Sequence, residues 1–201
     1  MIDNKALFNI EYGLYVVTTL DEDKDNGMIS NSACQVSVSP DTIAITLHKS
    51  TYTHDIIKKT GILNLCPIEQ TAPFSLFENF GFKSGREHNK FESYSFNRSS
   101  NGLAVLDKFI NSYISLQVVS YFDMNSHGMF ICKIVEAKTL STTKTMTYSY
   151  YHENVKNNKQ DKKSKGFVCS LCGYVYENDT LPADFVCPLC NHGAQFFEEI
   201  K

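Results

Sequence analysis

The chain has 201 residues, 42% of them hydrophobic and 20% charged, with a formal net charge of −3. That length suits one medium domain plus a small appendage, and the balance of residues excludes a disordered chain and gives no reason to expect nucleic acid or an anionic membrane as a main partner. No stretch approaches the roughly 20 apolar residues that cross a bilayer, and the start, MIDNKALFNIEYGLYVV, lacks the basic region and apolar run of a signal peptide, so the expected location is cytoplasmic.

In chain order, strand signals come first. YGLYVVTTL (12–20) is β-branched and aromatic and runs into the turn-rich DEDKDNG. ACQVSVSP (33–40) alternates and stops at a proline. In TIAITLHK (42–49), Ile43, Ile45 and Leu47 share one face, while Thr42, Ala44, Thr46 and His48 share the other, which predicts a half-buried strand. THDIIKKTG (53–61) predicts a helix with a Thr cap and a Gly stop, and PFSLFENFGF (73–82) a second one opened by proline. YISLQVVSYFDM (113–124), GMFICKIVEAKTL (128–140) and MTYSYYH (146–152) return to strand character. Many short strands with two or three small helices predict a mainly β chain built on a closed barrel. No G-x-G-x-x-G follows a strand and there is no P-loop, which disfavours a Rossmann site.

Residues 153–165 are nearly all polar or charged. Such a run buries too little apolar surface to offset its ordering entropy, so it predicts a flexible linker. It divides the chain into 1–152 and 166–201. Of the seven cysteines, Cys34, Cys66 and Cys132 are scattered among apolar neighbours and read as small core side chains. The other four are Cys169 with Cys172 and Cys187 with Cys190, with fourteen residues between the pairs. Thiolates two residues apart on a tight turn can face one metal, and two such turns complete a tetrahedron. Tetrahedral sulfur suits iron and zinc alike.

The flanking residues narrow that choice. CSLCGYVYE followed by LPADFVCPLC resembles rubredoxin, with C-x-x-C-G-Y-x-Y and then L-P-x-D-aromatic-x-C-P-x-C. The resemblance covers nearly all of 166–201 and implies iron, with zinc in a purely structural ribbon as the alternative. Gly173 would let backbone amides turn toward sulfur, and Tyr174, Tyr176, Phe185 and Phe196 would form an aromatic shell around a one-electron couple. The segment between the pairs is shorter than in free-standing rubredoxins, and Phe185 stands where tryptophan is usual.

Residues 25–61, DNGMISNSACQVSVSPDTIAITLHKSTYTHDIIKKTG, resemble the flavin reductase-like family, the FMN-binding split barrel. Matches continue in the family's order at FGFKSGREHNKF (80–91), MNSHGMFI (124–131) and MTYSYYH (146–152). The resemblance covers nearly all of 1–152 and implies bound FMN and a homodimer. FMN needs a flat slot with backbone donors and acceptors, together with hydroxyls and a cation for its phosphate. Asn31, Ser32, Cys34 and Gln35 lie at the turn into a strand. Lys49, Ser50 and Thr53 lie between a strand and a helix N-terminus, which favours a phosphate. Ser84, Gly85 and Lys90 offer a hydroxyl, a close backbone approach and a second cation, and Thr18 completes the expected cofactor set. Resemblance places His127 near the nicotinamide side of the flavin. Cys132 replaces a glycine common in the family, and Asn125 and Ser126 replace small or acidic residues.

Together the halves imply an electron-transfer fusion that takes electrons from NAD(P)H, directly or through a reductase. They pass through FMN to the iron centre and on to a terminal acceptor such as a flavodiiron oxygen or nitric oxide reductase. Fusion raises the effective concentration of the acceptor, across a linker spanning roughly 20 Å as a coil. Two rivals stay open: a flavin reductase serving a monooxygenase, with a zinc-bound docking module, and a carrier with no NAD(P)H oxidase activity of its own.

Overall fold

The structure, a computed structural model, describes residues 6, 9–156, 166–170, 174–187 and 192–200. It divides into two compact units, 1–151 and 152–201.

In the first unit, β1 (Tyr15–Asp21) and β2 (Lys24–Ser30) form an antiparallel hairpin that turns at Glu22, whose φ is 56°. The polar run expected to be all turn thus supplies most of a strand, because its backbone pairs with the β-branched β1. Next come β3 (Ala33–Val38) and β4 (Asp41–His48). In β4 the alternation holds: Ile43, Ile45 and Leu47 are buried and their neighbours half-exposed.

Helix α1 (Tyr52–Thr60) starts one residue before the expected span. Its cap is Thr51, whose hydroxyl accepts the His54 N–H, and not Thr53, which lies inside the helix and is buried. Gly61 closes it as expected, at φ 72° with its N–H bonded to the Ile57 carbonyl. β5 (Ile62–Pro67) leads to α2 (Phe74–Gly81), which Pro73 opens. The short pair β6 (Phe96–Arg98) and β7 (Ala104–Leu106) precedes the long hairpin of β8 (Ser112–Met124) and β9 (His127–Thr139).

The strand expected at 146–152 is not formed. Thr147 caps a short helix, α3 (Tyr148–Tyr150), by accepting the Tyr150 N–H, and the chain continues as a π-helix over Tyr151–Lys156. Packing decides this: Tyr151 is buried with its ring 4.4 Å from that of Phe77. The expected linker therefore begins in helix over residues 153–156, and residues 157–165 lie outside the described residues.

The main sheet has the order β2-β1-β5-β8-β9-β4-β3, antiparallel throughout. β2 and β3 adjoin in sequence yet form its two edges, so the expected closed barrel is open along that seam: the barrel is split. Val17, Ile43, Ile45, Leu47, Leu63, Leu65, Leu116 and Phe130 fill the interior, with Ile57 of α1 packed among them.

In the second unit, β10 (Phe167–Cys169) is flanked by β11 (Val175–Tyr176) and β12 (Phe197–Glu199). Phe185 anchors its aromatic cluster, with ring centroids 4.4 Å from Tyr176, 5.2 Å from Phe197 and 6.4 Å from Tyr174. Phe196, expected in this shell, packs on His192 instead. It sits in the 3-10 turn before β12, which gives the inward place to Phe197.

Candidate functional site

The end of β4, the turn into α1 and the β8–β9 hairpin tip meet at one rim of the barrel. β4 and β9 pair in register there, so His48 and His127 are direct partners across the strands. Their rings stand edge to face, centroids 4.9 Å apart. Burial, followed by repulsion from His48, pushes the His127 pKa below its ordinary 6.5, so this imidazole is neutral at pH 7. Ser126 Oγ lies 2.9 Å from His127 Nδ1. Lys49 donates to Asp123 at 2.7 and 3.0 Å. That pairing lowers the Asp123 pKa and raises that of Lys49, so both are charged at neutral pH.

Ser32 joins this rim through its carbonyl, which accepts the Thr46 N–H at 2.9 Å, while its hydroxyl donates to Asn31 Oδ1. Ser50, on the turn, lies 2.7 Å from His48 Nδ1. Ser32, Lys49, Ser50 and His127 therefore lie around the end of β4, with Asn31 bonded to Ser32.

Thr53 lies below them. Its hydroxyl accepts from Asn26 Nδ2 at 2.7 Å, both side chains being buried. Gly85 packs against Asn26 so closely that a Cβ would collide with Oδ1. Asn26 Oδ1 is buried with no hydrogen-bond partner among the described residues. Lys24 donates to the Gly85 carbonyl, and Ser84 Oγ accepts the Arg86 N–H in the same loop. Arg86 sits over the Tyr52 ring and pairs with Asp55 of α1. The 84–86 loop thus rests on the first turns of α1.

Two expected cofactor residues, Thr18 and Lys90, stand apart. Thr18 is fully buried and donates to the Ala104 carbonyl at 2.7 Å. Lys90 is 4% exposed, and its ammonium donates to the Gly27 and Phe80 carbonyls. Both are committed to holding segments together, and Lys90 offers no free cation to a phosphate. Gln35 is exposed on β3 and bonds Asp41. Cys34, read from the sequence also as a core thiol, is exposed on the edge strand β3, because its position faces out of the barrel. Cys66 and Cys132 are core thiols as expected, their pKa values pushed up to about 12 by burial. His48 and Asp123 were missed. The polar face of β4 marked His48 as outward-facing, but its partner is 79 residues away in sequence.

The rim offers an anionic group the Ser50 hydroxyl and the first amides of a nine-residue helix, beside the half-exposed Lys49 ammonium, which is paired with Asp123. In the second unit, Cys169 and Cys187 are fully buried. The Cys169 N–H donates to the Tyr174 carbonyl and the Cys187 N–H to the His192 carbonyl, each at 2.8 Å. Cys172, Gly173 and Cys190 lie outside the described residues. A set of four thiols, two in this buried frame, fits a tetrahedral metal.

Residues 7–159 match the model of the flavin reductase like domain, and residues 167–198 that of the rubrerythrin, rubredoxin-like domain. A high molecular weight rubredoxin of Moorella thermoacetica is 31% identical over 99% of this chain and 100% of its own length. A ferric-chelate reductase (NAD(P)H) of Archaeoglobus fulgidus is 29% identical over 75% of this chain and 89% of its own. The solved flavin reductase PheA2 has a TM-score of 0.62 at 22% identity, over 73% of this chain and 93% of its own, which is a likeness of fold. This chain belongs to the flavin reductase-like family, as a flavin-dependent oxidoreductase that also carries an iron-binding rubredoxin-like domain.

Proposed function

We propose that this protein passes electrons from NAD(P)H, directly or through a reductase, by way of FMN to the four-cysteine iron and then to a terminal acceptor. A flavodiiron protein reducing oxygen or nitric oxide is the acceptor class we favour. The observation that carries this reading is the joining of the two redox domains in one chain, matched end to end by a high molecular weight rubredoxin. The donor is supported by the NAD(P)H-dependent ferric-chelate reductase among the relatives. FMN supplies the exchange between a two-electron hydride donor and one-electron acceptors.

The residues of this chain take the following parts. Lys49, Ser50 and the first amides of α1 hold the phosphate, and Asn31 and Ser32 meet the ring edge. Cys34 and Gln35 border it from β3. Thr53, Ser84 and Gly85 support the phosphate turn from below. Neutral His127 orients the nicotinamide and donates or accepts a hydrogen bond without adding charge. Cys169, Cys172, Cys187 and Cys190 bind the iron, 1–152 being the flavin domain and 166–201 the iron domain. The location is cytoplasmic, in keeping with the lack, among the described residues, of a helix long and apolar enough to cross a membrane.

A homodimer is part of the proposal. Phe122 and Met124 of β8 are 50% and 54% exposed and pair with Met129 and His127 across β9. A second copy on that face would bury them and wall the His127 rim from water. The deciding experiment is anaerobic titration of the purified protein with NADH and NADPH. Bleaching of the flavin band followed by loss of the ferric–thiolate bands supports the relay. A flavin that neither donor bleaches leaves only the carrier loaded by a separate reductase.

A further inference from the structure

The turn between β4 and α1 grips His48 at several points. The Ser50 backbone N–H donates to His48 Nδ1 at 3.2 Å, and Ser50 Oγ lies 2.7 Å from the same nitrogen. The Thr51 amide and hydroxyl both donate to the His48 carbonyl, at 3.0 and 2.8 Å. A backbone N–H can only donate. Nδ1 is therefore the acceptor, and the neutral ring carries its proton on Nε2. This fixed ring meets the His127 ring edge to face, its interplanar angle being 76°.

We propose that His48 is a positioning residue for His127: clamped by Ser50, it sets the orientation of the neighbouring imidazole and holds it at the nicotinamide face. The inference rests on the reading of His127 given above. It also joins two parts of the site, since Ser50 is a proposed phosphate ligand and its hydroxyl and amide both reach His48. A cofactor phosphate drawing on Ser50 would thus bear on His127 through a single intervening ring.

The other polar groups around His127 do not substitute for His48. From the β4–α1 turn, Lys49 is turned to Asp123 of β8, and the two charges offset one another. From α1, His54 lies beneath Gly128, with its nitrogens near Asp55 and the Tyr121 hydroxyl. Ser126 is hydrogen-bonded to His127 at Nδ1, from the same strand end. Burial is the first cause of the depressed His127 pKa, and repulsion from His48, which acts when both rings are protonated, is the second.

The test uses the intact, flavin-loaded protein with His48→Leu and His48→Gln. Imidazole resonances followed by NMR against pH report His127 directly, whatever the turnover. With His48→Leu, the His127 midpoint is expected to move up toward the ordinary value. The KM for NADH is expected to rise between about twofold and tenfold, the range for one lost ring contact, with little change in kcat. His48→Gln, whose side-chain oxygen can still accept from Ser50, should recover part of the KM. An His127 midpoint identical in wild type and His48→Leu would overturn the inference. His127→Ala separates it from the underlying reading. If that variant keeps its KM while the midpoint still moves in His48→Leu, the positioning stands and the nicotinamide role falls.

Discussion

Gly128→Ala probes the packing that carries His127. A Cβ built at Gly128 would stand 2.5 Å from His54 Nε2, 2.5 Å from Tyr121 Cε2 and 2.9 Å from His54 Cδ2. Ordinary van der Waals contact begins near 3.4 Å, so both rings must retreat by about 0.9 Å. Neither can do so freely. His54 is 3% exposed, its ring lies 5.4 Å from that of Phe130, and its nitrogens face Asp55 at 3.2 Å and the Tyr121 hydroxyl at 3.3 Å. Overpacking of this kind costs about 1–3 kcal/mol, and loosening the His54 contacts adds about 1 kcal/mol. The expected loss is thus roughly 2–4 kcal/mol, seen as a fall in Tm of about 5–15 °C for a domain of this size. Urea melts of wild type, Gly128→Ala, His54→Ala and the double variant form a cycle in which removing His54 should relieve part of the cost. A Gly128→Ala protein within about 0.5 kcal/mol of wild type would refute the packing argument, since surface substitutions alone give that much.

Lys90 makes stability depend on pH. Burial lowers its pKa from 10.5 to about 8, so between those values the folded protein has released a proton that the unfolded chain still holds. Stability should rise with pH across that window, by about 3 kcal/mol in total. In Lys90→Met, denaturant midpoints measured from pH 7.5 to 9.5 should lose most of that slope. Thiol labelling of the native protein should find Cys34 reactive and Cys66 and Cys132 silent, since both buried pKa values are about 12. Modification of Cys66 without unfolding would contradict its burial. Thr51→Ala should destabilise the flavin domain by about 1 kcal/mol, whereas Thr51→Ser should be nearly neutral. If the proposed homodimer forms on β8, Phe122→Glu should lower the mass measured by light scattering to that of a monomer, and an unchanged mass would remove β8 from the interface.

The β4 pattern was legible because its apolar residues alternate strictly and one face is buried. The Gly61 stop was legible because only a left-handed residue closes that helix cheaply. Residues 21–27 misled because their polarity reads as turn, while residues 24–27 pair with the β-branched β1 and Asn26 turns inward to Thr53. Residues 146–152 misled for the opposite reason. Three tyrosines favour a strand locally, but Tyr151 gains more by burying its ring against Phe77. Within the site, the Lys49–Ser50 turn was visible as a strand end meeting a helix start. Lys90 was not, since a lysine aimed inward at two carbonyls looks the same in sequence as one facing a phosphate. The His48–His127 pair depends on register between distant strands, which no local pattern encodes.

The central claim is that one chain carries both a flavin and a redox-active iron. The most direct measurement is the absorbance spectrum of the aerobically purified protein, paired with metal analysis. The account predicts overlapping flavin and ferric–thiolate bands, with about one FMN and one iron for each four-cysteine site. A plain flavin spectrum with zinc in place of iron would contradict it and leave the C-terminal domain a structural or docking element.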